Sequence, residues 1–398
     1  MTRGERIEAT PTRAKIAFVV SAPLTAEAFL CDHVAALSEH FEVHLIANAD
    51  PRAIAHPTLE RARRHRVAIV RAISPWSDLR AIAALIALLR RERYSAVHSL
   101  TPKAGLVTAL AAFVARVPVR IHTFTGQVWA TRAGAGRSVL KTMDRLIAAL
   151  DTHILVDSLS QRDFLRSERV LSPTGGVVLA HGSVSGVDAS RFRPDPAKRT
   201  SVRARLGIAS DAIVFLFVGR LTREKGVLEL AQAFREIASE RPDAVLLVVG
   251  PDEEGLGAAM REACGPAAGR LVLAGQTAEP ESYMAASDVF CLPSYREGFG
   301  SVVIEAAAAG LPAIGSRIYG VTDAIEERGT GLLVDPRDAA ALAGAMRELA
   351  ANATLRAQLA HAARERALRD FSNRAVSAAL VSFYAAALAR TDIPVSQA

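Results

Sequence analysis

Short β-rich runs alternate with Ala-, Leu- and Arg-rich stretches along most of the chain, and this alternation constrains the fold more than any other feature. The runs Ile16–Val20, Val43–Ala47, Val67–Val70, Ala96–Ser99, Val119–His122, His153–Asp157 and Val177–Ala180 read as strands, and stretches such as Asp78–Glu92 and Ser138–Leu150 read as helices. Strands that alternate with helices build a parallel sheet covered on both faces. The pattern breaks near Gly182–Thr200, where Gly186, Pro194, Pro196 and mixed charges mark a linker. It restarts with Ile213–Val218, Ala244–Val249, Arg270–Leu273, Val289–Leu292 and Ala313–Gly315, and from about Ala339 it becomes helical. The expected architecture is α/β: two Rossmann-like α/β/α domains at residues 1–190 and 200–370, with a central cleft. A helical tail at 371–398 is expected to pack back toward the first domain. In such sheets, ligands bind at the carboxyl ends of the strands.

A chain of 398 residues, half of them hydrophobic, has material for two cores. Its +7 net charge is uneven: residues 1–190 hold 24 Lys and Arg against 16 Asp and Glu, and the remainder holds 24 against 25. A basic amino-terminal half suits an anionic partner, such as a lipid headgroup, a diphosphate or a nucleic acid, and a merely solvated basic surface is the alternative. The cluster Arg61, Arg63, Arg64 and Arg66 fits either. Cys31, Cys264 and Cys291 are scattered without a pairing or metal-ligand pattern, as expected of free thiols in a reducing compartment. The longest apolar runs, Ala81–Leu89 and Ala104–Ala115, fall short of the ~18–20 residues of a membrane span. Behind Arg3, Arg6, Arg13 and Lys15, the run Ile16–Val20 is too short for a secretory leader and reads as a first strand.

Two motifs carry chemistry. Tyr295-Arg296-Glu297-Gly298-Phe299-Gly300-Ser301 leads from a buried strand into an Ala-rich helix containing Glu305. Gly298 and Gly300 permit a tight turn and close approach of a ligand to the backbone. Ser301 reads as the N-cap, and the unpaired N–H groups at the helix start suit a diphosphate. Seven residues separate Glu297 from Glu305, so both carboxylates can face one pocket and accept hydrogen bonds from sugar or ribose hydroxyls. In the second motif, Phe217-Val218-Gly219-Arg220-Leu221-Thr222-Arg223-Glu224-Lys225-Gly226, a strand ends in Gly-Arg and a lysine follows five residues later. The arginine offers a fork for phosphate oxygens and the lysine a point charge. A surface helix Glu and a surface salt bridge are the bland readings of these residues taken singly.

Together, Gly219-Arg220…Lys225-Gly226 and the Glu297–Glu305 pair resemble the retaining glycosyltransferases of family 4, which have the GT-B fold. The resemblance implies that Arg220 and Lys225 bind the donor diphosphate, Glu297 touches the donor sugar and Glu305 holds the ribose hydroxyls. Ala274-Gly275-Gln276 looks like the nucleobase-contacting loop. In the first domain, His122 at the end of its strand matches the family histidine that reaches the donor sugar or phosphate. The implied catalytic set is His122, Glu297, Arg220 and Lys225. The implied donor site is Arg220, Lys225, Gly275, Gln276, Glu297, Gly298, Phe299, Gly300, Ser301 and Glu305.

The stretches Ser99–Gly105, His122–Arg132, Asp157–Phe164 and Gly182–Asp188 look like the subset acting on lipid-linked sugars in bacterial surface-polysaccharide and glycan assembly. That subset implies a nucleotide-sugar donor, with a UDP-linked sugar expected, and a polyprenyl-diphosphate-linked saccharide acceptor. It also implies a cytoplasmic enzyme, peripheral at the anionic inner face of the membrane. The sequence departs from the family at Val20-Ser21-Ala22-Pro23-Leu24, where many members carry paired glycines. No D-x-D pair occurs in the chain. Arg220, Lys225 and the helix start can neutralise the leaving group, so neither a metal nor another cofactor is expected.

A nucleotide-sugar epimerase of similar two-domain fold is the alternative activity. A nucleic-acid-binding protein is suggested only by the basic half. It lacks a zinc pattern, an RNA-binding signature and interleaved aromatics, so no nucleic-acid partner is expected.

Overall fold

The computed structural model describes residues 13–50, 56–70 and 74–390. Arg3, Arg6 and the last eight residues of the expected tail therefore lie outside the described residues. Two parallel sheets organise the described chain. The first contains β1 (Lys15–Val19), β2 (Glu42–Ala47), β3 (Arg63–Arg66), β4 (Ala96–Leu100), β5 (Val119–Phe124), β6 (His153–Val156) and β7 (Val177–Val178), in the order β3-β2-β1-β4-β5-β6-β7. The second contains β8 (Ile213–Val218), β9 (Ala244–Val249), β10 (Leu271–Gly275), β11 (Val289–Leu292), β12 (Ala313–Ser316) and β13 (Gly331–Val334), in the order β10-β9-β8-β11-β12-β13. Runs such as Ile-Val-Phe-Leu-Phe-Val in β8 are almost wholly buried, as strands covered on both faces must be.

In each sheet the order reverses direction once, between β1 and β4 in the first and between β8 and β11 in the second. The diverging connections at such a switch point leave a crevice outside the carboxyl ends of the strands.

The structure departs from the sequence pattern at three elements. The third strand is Arg63–Arg66, not Val67–Val70. Val67 and Ile69 do enter the core, but the ladder with β2 runs through the preceding basic residues. This is an edge strand with an open flank, where charged side chains reach water. The linker is shorter than expected, because Pro196 opens a helix, Pro196–Leu206, capped by the Asp195 side chain. Strand β13 had no counterpart in the sequence reading.

The chain forms two compact units. The first holds the described residues up to Thr123, Met143–Ile154 and those from Ser377 onward; the second holds Phe124–Thr142 and Leu155–Val376. Residues of the last helix, Asn373–Ala389, complete the first core. Tyr384 is fully buried edge-on to Phe18, its hydroxyl pairs with His98 Nδ1 at 3.1 Å, and Ser377 Oγ pairs with His33 Nδ1 at 2.9 Å. The second core is built on Phe215, Phe217, Phe234 and Phe290. Cys264 and Cys291 are buried there as free thiols, and Cys31 is a half-buried free thiol in the first unit. Among the described residues no helix is long and apolar enough to cross a membrane.

Candidate functional site

In the second unit the motif residues gather at the carboxyl edge of adjacent strands. Arg220 and Lys225 follow β8, Gly275 ends β10 with Gln276 beyond it, and Glu297–Ser301 follow β11. Strands β8 and β11 flank the switch point, so the two motifs face one crevice.

Lys225 is the last residue of a single 3₁₀ turn, Arg223–Lys225. Gly226 ends that turn at φ 67°, and a Cβ there would stand 2.1 Å from the Pro293 carbonyl oxygen. Only glycine lets the turn sit against the neighbouring loop, and this places Lys225 Nζ to donate to Glu297 Oε1. More bonds lace the two loops together. Tyr295 N donates to Glu224 O at 2.8 Å, Arg296 Nη2 lies 2.7 Å from Glu224 Oε2, and the Tyr295 hydroxyl donates to Glu229 at 2.6 Å. Arg220 turns instead to Glu253, at 2.7 Å. Both partners are well exposed, and such a pair contributes about 0–1 kcal/mol, so a diphosphate can recruit the guanidinium. Glu253 belongs to the acidic run Asp252-Glu253-Glu254, which follows β9 at the same edge and carries no motif of its own.

The turn after Glu297 is sterically fixed. A Cβ on Gly298 would lie 2.4 Å from the Thr125 carbonyl oxygen and 2.8 Å from an Asp157 carboxylate oxygen. The N-cap of the helix Ser301–Ala308 is Gly300 in the left-handed region, with Ser301 as the first helical residue, and no side chain caps this end. Phe299 is buried edge-on to Phe371, 5.2 Å between ring centres, so its ring anchors the loop.

Glu305 lies on the same helix, partly buried, and its carboxylate has no hydrogen-bond or ion-pair partner among the described residues. Burial pushes its carboxyl up to about 7 against the opposing pull of Arg191. A carboxyl poised this way gains by accepting hydrogen bonds from hydroxyls. Gly275 and Gln276 are exposed, and Gly250 N donates to Gly275 O at 2.8 Å, which ties the loops after β9 and β10 together.

Asp157, just beyond β6, is a further acid at this site. It is buried, its Oδ1 has no partner among the described residues, and burial pushes its carboxyl up to about 8.

In the first unit His122 sits near the carboxyl end of β5, 1% exposed. Burial drives its imidazole down to about 3, so it is neutral at physiological pH. Ser99 Oγ lies 2.8 Å from Nδ1, and a Cβ on Gly105 would lie 2.4 Å from Cε1. Ser99 and Gly105 thus fix the ring. Their roles are not visible in the sequence, because only the fold brings them to His122. At the switch point of this sheet, Thr101 adopts φ 73°, a strained conformation for a β-branched residue, and its hydroxyl meets Ser21 Oγ at 3.2 Å. This is the segment that departs from the paired-glycine pattern.

Comparison with known proteins identifies the family. Family models match residues 198–366 ("Glycosyl transferases group 1") and 26–182 ("Glycosyl transferase 4-like domain"). The capsular polysaccharide biosynthesis glycosyltransferase CapM of Staphylococcus aureus is 30% identical over 353 residues, covering 87% of this chain and 90% of that protein. An Escherichia coli UDP-Gal:alpha-D-GlcNAc-diphosphoundecaprenol alpha-1,3-galactosyltransferase is 28% identical, covering 83% and 87%. Among solved structures, the sucrose-phosphate synthase of Thermosynechococcus elongatus superposes with a TM-score of 0.79 at 24% identity, covering 95% of this chain and all of that one. Anabaena HepE in complex with UDP and glucose gives 0.76 at 21%, covering 94% and 99%. The chain belongs to the group 1 glycosyl transferases and is a glycosyltransferase of the GT-B fold.

Proposed function

We propose that the protein transfers a sugar, with retention of anomeric configuration, from a UDP-sugar to a polyprenyl-diphosphate-linked saccharide in surface-polysaccharide or glycan assembly. The observation that carries this reading is the meeting of Lys225 with Glu297 across the loops after β8 and β11, the strands that flank the switch point of the second sheet. The E. coli relative's name specifies a UDP-sugar and a diphosphoundecaprenol-linked acceptor, and the S. aureus relative's name specifies capsular polysaccharide. The lipid of such an acceptor keeps the reaction at the anionic inner face of the membrane.

In this reading Arg220, Lys225 and the N–H groups at Gly300 and Ser301 stabilise the charge that grows on the departing diphosphate. The bond from the anomeric carbon to the phosphate oxygen breaks with its electrons going to the diphosphate. The acceptor oxygen bonds to the same face of that carbon, and its proton passes to the departing oxygen. Glu297 holds the sugar hydroxyls and Glu305 the ribose. Gly275 and Gln276 border the base, and the family resemblance assigns neutral His122 a hydrogen bond to the donor. No metal or other cofactor is required, so activity persists in excess chelator; its loss on chelation with recovery on adding magnesium or manganese would overturn that part.

The decisive experiment offers UDP- and GDP-sugars with a polyprenyl-diphosphate-saccharide acceptor and reads the product's anomeric proton by nuclear magnetic resonance. A retained linkage formed from a UDP-sugar is expected. An inverted linkage, a covalent sugar on Glu297, or donor turnover without any acceptor would each overturn the proposal.

A further inference from the structure

The first unit exposes large apolar side chains where a folded domain normally hides them. Trp76 is 78% exposed and Leu79 58%, both in the opening turn of the helix Pro75–Glu92, which follows β3. Leu24, 65% exposed, lies in the helix that follows β1, at the same carboxyl edge of the sheet. The outward positions of the helix Pro75–Glu92 recur at helical spacing: Trp76, Leu79, Arg80, Ala83, Ala87, then Arg90 and Arg91. Its two acids are committed elsewhere. Asp78 accepts from Lys103, and Glu92 is buried beside Lys15, Arg63 and Arg91. The outward face is therefore apolar and aromatic at one end, with Arg80 beside it and Arg90 at the far end, where one Arg90 nitrogen donates to Val114 O at 3.2 Å, and it carries no uncommitted carboxylate.

That combination fits an interface where apolar chains meet negative headgroups. Tryptophan favours such a boundary, and arginine side chains reach phosphate while their stems stay in apolar surroundings. We infer that the exposed face of the helix Pro75–Glu92 docks the protein on an anionic lipid bilayer, with Trp76 and Leu79 entering the headgroup–acyl boundary and Arg80 and Arg90 meeting the phosphates. The inference deepens the proposed action on a lipid-linked acceptor and rests on it. A basic lobe held only by long-range attraction would release in salt. This face adds an apolar contribution that salt does not screen.

The protein carries two tryptophans, and the other, Trp129, is 1% exposed, so a change in emission reports on Trp76. The full chain is titrated with vesicles of phosphatidylcholine containing about one-third phosphatidylglycerol. The expected result is a blue shift, quenching by brominated acyl chains, and residual binding at high salt. Trp76→Ser with Leu79→Ser, both at exposed positions, should lower partitioning at least about tenfold, keep the thermal melt unchanged and abolish salt-resistant binding.

Binding without any blue shift, complete release by salt, or undiminished binding of the double variant would overturn the inference. So would a blue shift that grows with protein concentration in the absence of lipid, since the face would then cover a second copy of the chain. Transfer to a water-soluble short-chain acceptor separates the two levels. If transfer occurs and insertion does not, the docking face is wrong and the proposed reaction stands. If insertion occurs and transfer does not, the docking face stands and the proposed reaction falls.

Discussion

His122 in the first unit and Glu305 in the second both lie near the carboxyl end of a parallel sheet, and burial drives both toward the uncharged form from opposite sides. The imidazole falls to about 3 and the carboxyl rises to about 7. The same contrast recurs nearby. Burial puts His98 well below its usual range in the first unit and lifts Asp157 to about 8 in the second, although Asp151, lifted to about 7 by burial, brings the acidic pattern into the first unit as well. The difference lies in what surrounds each group. His122 is wedged by Ser99 and Gly105 into one orientation, whereas Glu305 feels the opposing charges of Arg191 and Glu281 without a hydrogen bond to either. The first unit thus offers a fixed neutral dipole and the second an adjustable charge. Groups of the first kind orient a substrate; groups of the second kind respond to charge as it develops.

The sharpest break between the two would come from removing the cation. Lys225→Ala is expected to lower turnover about 10²–10³-fold, or about 2.7–4 kcal/mol, beyond any loss of donor affinity. Steady-state kinetics alongside direct donor binding measures this, and a loss confined to KM would reduce Lys225 to a ground-state contact.

Glu305→Gln should weaken nucleoside-diphosphate binding by about 1.5–3 kcal/mol in calorimetry. Because the hydroxyl-accepting form is the carboxylate, wild-type affinity should rise with pH up to and through about 7 and level off above it. The Gln variant should be flat, and a slope that survives in it would assign the titration to another group.

Stability should respond to pH in both directions. Asp157 has a raised folded-state pKa, so its contribution is complete below about 3.8 and is lost as pH rises toward about 8. His122 has a depressed one, so its contribution is complete above about 6.5 and is lost as pH falls toward about 3. Taking the protein from pH 6 to pH 8 should cost about 2 kcal/mol through Asp157. Asp157→Asn should flatten that limb of a melting-temperature profile and leave the acid limb in place. An unchanged alkaline limb would place the loss elsewhere, with Asp151 the first group to examine.

The smallest effect concerns Glu253. Glu253→Ala frees Arg220 from a pair worth about 0–1 kcal/mol and should lower the donor KM a few-fold at most. A rise in KM would make Glu253 part of the donor site.

Much of the fold was legible because fully buried parallel strands leave unbroken apolar runs. β8, β9 and β11 lie where the sequence places them. The edge strand was not, because Arg-Arg-His-Arg carries no apolar signal and only its ladder with β2 identifies it. The motif residues of the second unit were legible as types at a spacing, yet their partners were not. Lys225 and Glu297 are 72 positions apart, and Arg220 is held by an acid on a loop that seemed featureless. The cap of the Ser301–Ala308 helix went to Gly300 because the backbone there is left-handed, a property that two adjacent residues, each suited to capping, do not reveal. Gly105 looked like one small residue in an apolar helix; its need arises from a ring 17 positions away that only the folded sheet brings against it.

Strand β3 has a consequence of its own. Arg63, Arg64, His65 and Arg66 form one margin of the first sheet, whose outer flank has no strand beside it among the described residues. An open margin invites strand addition from another molecule. Here two such margins meeting would set arginine against arginine with few carboxylates to relieve the repulsion. The charge of this edge thereby keeps copies of the chain from joining through their own backbones.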